Sequence, residues 1–311
     1  MRNRLLSPAS ALLASIVATL GVLSAAGCRD QVAKLDLVTK GNGTAVGLAI
    51  PVADRLYLVP GGGGNTAVFL TKAGVTVVDP KYASSWPALE AAIRRITDAP
   101  ITHVIATHSH SDHAEAVVHL PGNAKVFAQA NTLERMMYFR YLPRGSDTNG
   151  RAQAFADRLE LFEGSDAITL MSPGPAHTNG DAVVYFHEAR TLHVGDLFPS
   201  RVFPVINLES GGNGLRYPEA LRAVLSVFPV VDHIITGHDG VLNRDDLAEF
   251  ASFMQFTVGY VAAEMRMFRD KNAVFRGLVL PERFEHYDRE RQFNTLDEID
   301  RSIRPRWQRV F

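Results

Sequence analysis

The chain of 311 residues contains one cysteine, Cys28. No disulfide can form within it, so an oxidising compartment would add no covalent staple. An excess of charge of either sign is also missing: 32 Lys and Arg stand against 33 Asp and Glu, a formal net charge of −1. Loss of an N-terminal segment carrying Arg2 and Arg4 takes that to about −3. Neither value is the footprint of a nucleic-acid partner, which requires a basic face for phosphates. No G-x-S-x-G occurs, so the sequence offers no serine nucleophile elbow. Long apolar runs are confined to Ala11–Ala26, an unbroken stretch of apolar and small residues too short for a comfortable membrane span.

That stretch has a basic start in Arg2 and Arg4 and ends in Ser24-Ala25-Ala26-Gly27-Cys28. Residues 1–28 therefore read as a secretory signal peptide. A cysteine directly after the small residues is the arrangement of bacterial lipoproteins, in which it becomes the lipidated first residue. The expectation is an exported protein, periplasmic or attached to a membrane through a lipidated Cys28; plain cleavage after Ala26 is the alternative. What remains, with 46% hydrophobic residues over the whole chain, is ample for a sizeable core. We assign residues 29–280 to one catalytic domain and residues 281–311 to a charged tail packing on it. The tail is balanced, with seven Arg against seven Asp or Glu. It reads as a solvated, salt-bridged surface anchored by Trp307 and Phe311.

Against these absences stands a concentration of metal ligands. His108-Ser109-His110-Ser111-Asp112-His113 places four of them in six residues directly after the apolar run Ile101–Thr107. A strand that ends in a ligand-dense loop fixes metals at a sheet edge. His177, Asp196 and His238 each lie in a Gly-containing turn beside apolar, β-branched segments. Together the seven are enough for two ions. Imidazole nitrogen and carboxylate oxygen suit Zn(II), and also Fe(II) or Mn(II), and a catalytic site must keep a position for water.

The surrounding runs give the frame. Arg55–Val59, Ala67–Thr71 and Val75–Asp79 are short β-rich segments joined by Gly-rich turns. Trp86–Thr97 has helical spacing at Leu89, Ile93 and Ile96, and Ile101–Thr107 is the strand that delivers the metal loop. Further strands are expected at Lys125–Ala128, Ala167–Met171, Ala182–His187, Thr191–Val194 and His233–Thr236. Hairpins mixed with strand–helix units point to an α/β fold of two mixed sheets with helices outside. Thr132–Arg144 reads equally as an outer helix or as a lid. Asp245–Asp270, apolar at three- and four-residue intervals, reads as a long helix buried along one face, with dimerisation as the minority reading.

The motifs HSHSDH, PGPAHTNGD around His177, HVGDLF around Asp196 and TGHDG around His238 resemble, over Leu56 to Gly240, the metallo-β-lactamase fold superfamily of hydrolases. The resemblance implies an αββα sandwich, a first ion on His108, His110 and His177, and a second on Asp112, His113 and His238, with Asp196 bridging both. It also implies that Asp79, at the end of a strand, supports the metal loop from behind, with Asp181 a weaker candidate for that task. His193 is the outlying histidine closest to the set.

The implied activity is hydrolysis by a metal-bridging hydroxide of an ester, thioester, lactone or amide in a small-molecule substrate, with Asp112 steering the nucleophile and carrying a proton. In this superfamily a bridging Asp marks thioesterases, lactonases and phosphodiesterases, whereas β-lactamases usually carry Cys or Ser there. β-Lactam hydrolysis is kept as the alternative, and a non-hydrolytic metal-binding or redox protein as the alternative of another class. Phe198, Phe203 and Pro204, following Asp196 closely, are expected with Thr132–Tyr141 to shape an apolar substrate pocket.

Overall fold

The computed structural model of the chain describes residues 45–267 and 270–304. The signal segment with Cys28, and Phe268, Trp307 and Phe311, lie outside the described residues. Ile50–Ala53 (β1), Leu56–Val59 (β2), Thr66–Thr71 (β3) and Gly74–Val78 (β4) form an antiparallel meander, because each β-branched run is followed by a turn tight enough to return the chain beside it. The helix Trp86–Arg94 (α1) then crosses over and Ile101–Ala106 (β5) joins β4 in parallel. After the one-turn helix Ser111–Ala114 (α2) come Lys125–Gln129 (β6), the helix Ala130–Tyr138 (α3) and Ala152–Phe155 (β7), which extend the parallel half of a seven-stranded sheet in sequence order.

A second, six-stranded sheet begins with Arg158–Leu161 (β8), Ile168–Met171 (β9), Val183–Phe186 (β10) and Thr191–His193 (β11). The helix Tyr217–Val227 (α4) is the crossover that sets His233–Ile235 (β12) parallel to β11, and Val241–Leu242 (β13) closes the far edge. The inner faces of the two sheets share one core, in which Phe69 of β3 meets Phe186 of β10 edge to face at 5.2 Å. Helices α1 and α3 cover the outer face of the first sheet through Leu89, Ile93, Leu133 and Met136. The outer face of the second is covered by α4 and by three later helices, Arg244–Arg266 (α5), Lys271–Arg276 (α6) and Gln292–Ile303 (α7). This is the αββα sandwich.

Two expectations change. Over its described part, 281–304, the tail packs on the domain as expected but is not a solvated surface: Phe284, Tyr287, Leu296, Ile299 and Ile303 belong to the core under the second sheet. The charges of α7 alternate with apolar residues at helical spacing, so one helix carries both faces. Phe198 and Phe203 do not line a pocket. Both are fully buried, Phe198 stacked on Phe250 at 4.7 Å and Phe203 edge-on to Phe253 at 4.9 Å. Pro204 is buried with them. The long helix α5 turns an aromatic face toward the chain after Asp196 and draws these rings inward.

Candidate metal centre

The carboxyl ends of β5, β11 and β12 meet at one rim of the sandwich, and their loops carry the ligands. His108 to His113 follow β5, Asp196 lies in the tight turn after β11, His238 follows β12, and His177 comes from the loop joining β9 to β10. All seven expected ligands are brought together. The Nδ1 of His110 lies 3.0 Å from His108 Nε2 and 2.9 Å from His177 Nε2. On the other side His113 Nε2 is 3.3 Å from His238 Nε2, and Asp112 Oδ2 is 3.5 and 3.3 Å from those two atoms. Asp196 stands between the groups: Oδ2 faces His108 and His177 at 3.9 and 3.6 Å, and Oδ1 faces His113 and His238 at 3.3 and 3.2 Å.

Hydrogen bonds behind the ligands fix which ring nitrogen points inward. Asp79 accepts from Thr107 N at 2.8 Å, from Thr107 Oγ1 at 2.7 Å and from His113 Nδ1 at 2.8 Å. Its oxygens are committed, which makes it a support and not a ligand. Thr107 Oγ1, having donated its proton to Asp79, accepts from His108 Nδ1 at 3.1 Å. His177 Nδ1 donates to the Val205 carbonyl at 2.9 Å. The Nε2 atoms of His108, His113 and His177 are thereby all turned into the site.

His110 is held by Asn207, whose Nδ2 lies 2.7 Å from His110 Nε2 while its Oδ1 accepts from Ser210 N.

Such an array fits a pair of cations. Two nitrogens each about 2.0–2.1 Å from a tetrahedral Zn(II) lie about 3.3 Å apart, close to the separations seen here. Asp196 Oδ1 is buried and, although charge draws it to two imidazoles, no donor is aligned with it as a hydrogen bond. Electrostatics make the same demand. Burial, then the neighbouring rings, hold His108 well below the ordinary histidine range, and burial with His177 brings His110 down to about 4. Burial would do the same to His113, but Asp196, Asp112 and Asp79 outweigh it and hold the ring well above. His238 is raised chiefly by Asp196. His108 and His110 are thus held neutral on one side, and excess negative charge asks for a cation on the other. The second side is also the open one, with 29% of the His238 side chain and 19% of Asp112 exposed against 1% of His108.

Several residues that hold this rim gave no sequence signal. Lys81 is completely buried, donates through Nζ to the Val59 and Gly64 carbonyls, and is pushed down to about 7 by burial, against the opposing pull of Asp79 and Asp112. Asn65 ties the Gly-rich turn to the His238 loop, with N donating to Gly237 O and Nδ2 to Thr236 O. Gly64 must be glycine, since a Cβ there would lie 2.2 Å from the His113 ring. Tyr217 donates its hydroxyl to the Asp196 carbonyl at 3.0 Å.

His193 is buried and bridges Asn65 O and Gly195 N, away from the ligands. Asp181 accepts from Thr178 N and Oγ1 and shapes the His177 loop without touching a ligand ring. The tail helix takes part as well. Thr295 donates to Pro204 O and Glu298 accepts from Ile206 N, either side of the carbonyl that orients His177.

The sequence profile of the metallo-β-lactamase superfamily matches residues 59–241, the stretch that carries all seven expected ligands. The chain belongs to this superfamily. It is thus a metal-dependent hydrolase of the metallo-β-lactamase fold. Metallo-beta-lactamase IND-1 of Chryseobacterium indologenes is 24% identical over 177 residues, which cover 56% of this chain and 71% of that protein. Among solved structures, the sec-alkylsulfatase Pisa1 from Pseudomonas sp. superposes with a TM-score of 0.67 at 16% identity, over 83% of this chain and 50% of that one. The chain thus matches about half the length of that sulfatase. The metallo-beta-lactamase DIM-1 superposes with a TM-score of 0.56 at 17% identity, over 68% of this chain and 99% of the other.

Proposed function

We propose that this metallo-β-lactamase superfamily member is a binuclear hydrolase that cleaves an ester, thioester, lactone or amide of a small molecule. The observation that carries this is the position of Asp196, with one oxygen turned to each histidine group. His108, His110 and His177 would hold one ion and Asp112, His113 and His238 the other, with Asp196 shared. Bound there, a pair of divalent ions, Zn(II) by preference and Fe or Mn by the same donor set, supplies an acidified water and a Lewis acid for the substrate's oxygen.

The chain's own residues do the rest. Asp112, at the open side, would use the carboxylate oxygen not turned to the ion to take a proton and pass it toward the leaving group. Asp79, Thr107 and Val205 O keep the rings from turning, so the ligand geometry is set before substrate arrives. β-Lactam hydrolysis is the second reading, supported by the relative IND-1.

A metal count by inductively coupled plasma spectrometry, run beside a panel of esters, thioesters, lactones, sulfate esters and a β-lactam, tests the proposal. About two ions per chain and turnover of a carbonyl substrate are expected. One ion or none under metal-replete conditions, with His238→Ala without effect, overturns the binuclear assignment. Asp196→Ala should lower occupancy of both ions and activity more than Asp196→Cys, which keeps a ligating atom. Equal, full activity in both variants would exclude the shared role. Export rests on the first 28 residues: Cys28→Ser in cells should move the protein from the membrane to the soluble fraction, and an unchanged distribution argues against lipidation.

A further inference from the structure

Beyond the metal centre, a cavity of about 470 Å³ opens between α3 and the loop after it. Val118, Met137 and Leu142 line it, and so do three arginines, Arg140, Arg144 and Arg151. No acidic side chain among the described residues pairs with any of the three. The Nε of Arg151 is buried without a partner, which is costly for a cationic donor unless an anion completes it.

The backbone also carries a cost to keep one of these cations in place. Helix α3 ends in a Schellman turn, with Tyr141 N donating to Met136 O at 2.8 Å and Arg140 N to Met137 O at 3.3 Å. Arg140 occupies the left-handed position of that turn, at φ 65°, where glycine is the usual residue. Arg140 is also one of the residues that line the cavity.

The remaining wall links the cavity to the metal centre. Tyr141 lines it, and the nearby charges of Glu115 and Asp112 act on its hydroxyl. Burial, then Glu115 and Asp112, raise Tyr141 above the ordinary phenol range. The Glu115 carboxylate accepts from Ala83 N. A row of aromatic rings runs from here to the surface, Tyr141 to Phe139 at 5.7 Å and Phe139 to Tyr138 at 5.3 Å, with Tyr138 exposed.

We propose that this cavity binds an amphipathic organic anion: an apolar chain along Met137 and Leu142, and a carboxylate, sulfate or phosphate head held by Arg140, Arg144 and Arg151. In making that anion the remote end of the substrate, the assignment rests on the hydrolase reading; as a binding site it does not. Three arginines lining one partly apolar recess offer both kinds of contact such a molecule needs.

Calorimetric titration with octane-1-sulfonate, octan-1-ol and inorganic sulfate tests it on the full chain. The sulfonate should bind at least tenfold more tightly than either of the other two. Arg144→Gln, at an exposed position, and Arg144→Gln with Arg151→Gln should each weaken the sulfonate tenfold or more with thermal stability kept. His108→Ala should bind it as the wild type does, which separates this site from the metal centre. For a carbonyl substrate turned over by the enzyme, Arg144→Gln should raise KM for an acyl chain with an anionic end and leave its neutral analogue unchanged. Equal affinity for octanol, or affinity unaltered by both Arg variants, overturns the anion site. Equal affinity for inorganic sulfate removes the apolar half, and unchanged KM removes the role in the substrate. Loss in the Arg variants of binding to phosphatidylglycerol vesicles, without measurable binding of the sulfonate, overturns the proposal in favour of a membrane surface.

Discussion

At the scale of single residues the centre is built by what stands behind the ligands. Asp79, itself at φ 57°, spends both oxygens on Thr107 and His113, and Thr107 passes the orientation on to His108. Gly64 completes the support from the other side: its N–H donates to Asp112 O at 2.9 Å while the His113 ring lies where a Cβ would be. Gly64→Ala therefore has to displace the ring, and with it the second group of ligands. The expected outcome is a chain that folds, keeps about one ion and loses most of its activity, read by metal analysis and circular dichroism. Two retained ions with wild-type turnover would mean that the ring has room to move.

At the scale of elements, the strands and the loops they deliver were legible because each signal is local. Alternating or continuous β-branched runs bounded by Gly and Pro need no tertiary information, and HSHSDH directly after the run Ile101–Thr107 announces a ligand loop. Asp79 was legible through the family resemblance. Lys81, Asn65, Asn207 and Tyr217 were not, since each becomes functional only through a segment far away in sequence: Val59 and Gly64 for Lys81, Thr236 for Asn65, His110 for Asn207, Asp196 for Tyr217. The error over Phe203 has the same origin. An apolar residue soon after a ligand fits a pocket or a core equally well, and Phe253, fifty positions on, decides for the core. Phe203→Ala should accordingly cost about 3–5 kcal/mol of stability. Relative kcat/KM for two esters of different acyl length should stay as in the wild type; a changed preference with an unchanged denaturation midpoint would return the ring to the pocket.

At the scale of the whole molecule the rim works only if the two sheets keep their relation, because His108 to His113 come from one sheet while His177, Asp196 and His238 come from the other. Direct polar ties hold that relation at both ends of the sandwich. At the rim, Ala182 N of the second sheet donates to Thr107 O of the first. Away from it, Arg55 in the β1–β2 turn donates to Asp166 Oδ1 at 2.5 Å and to Ser165 O at 2.8 Å, just before β9, and the Lys72 N–H also reaches Asp166.

Burial alone would raise the Asp166 carboxyl, but the Lys72 N–H and the Arg55 guanidinium overcome it and hold the group below its ordinary value. A carboxyl with a depressed folded-state pKa contributes its stability above the unfolded value of about 3.9, and loses it as pH falls through the folded one. Arg55→Met should therefore lower the urea midpoint at pH 7, by the equivalent of about 1–2 kcal/mol for a charged hydrogen bond. The gap to the wild type should narrow as pH drops below about 3.9. A gap that is the same at pH 7 and pH 3 would assign the Arg55 effect to its packing over Phe69, where its guanidinium lies 5.3 Å from the ring centroid, and leave the carboxylate tie without a part in holding the sheets together.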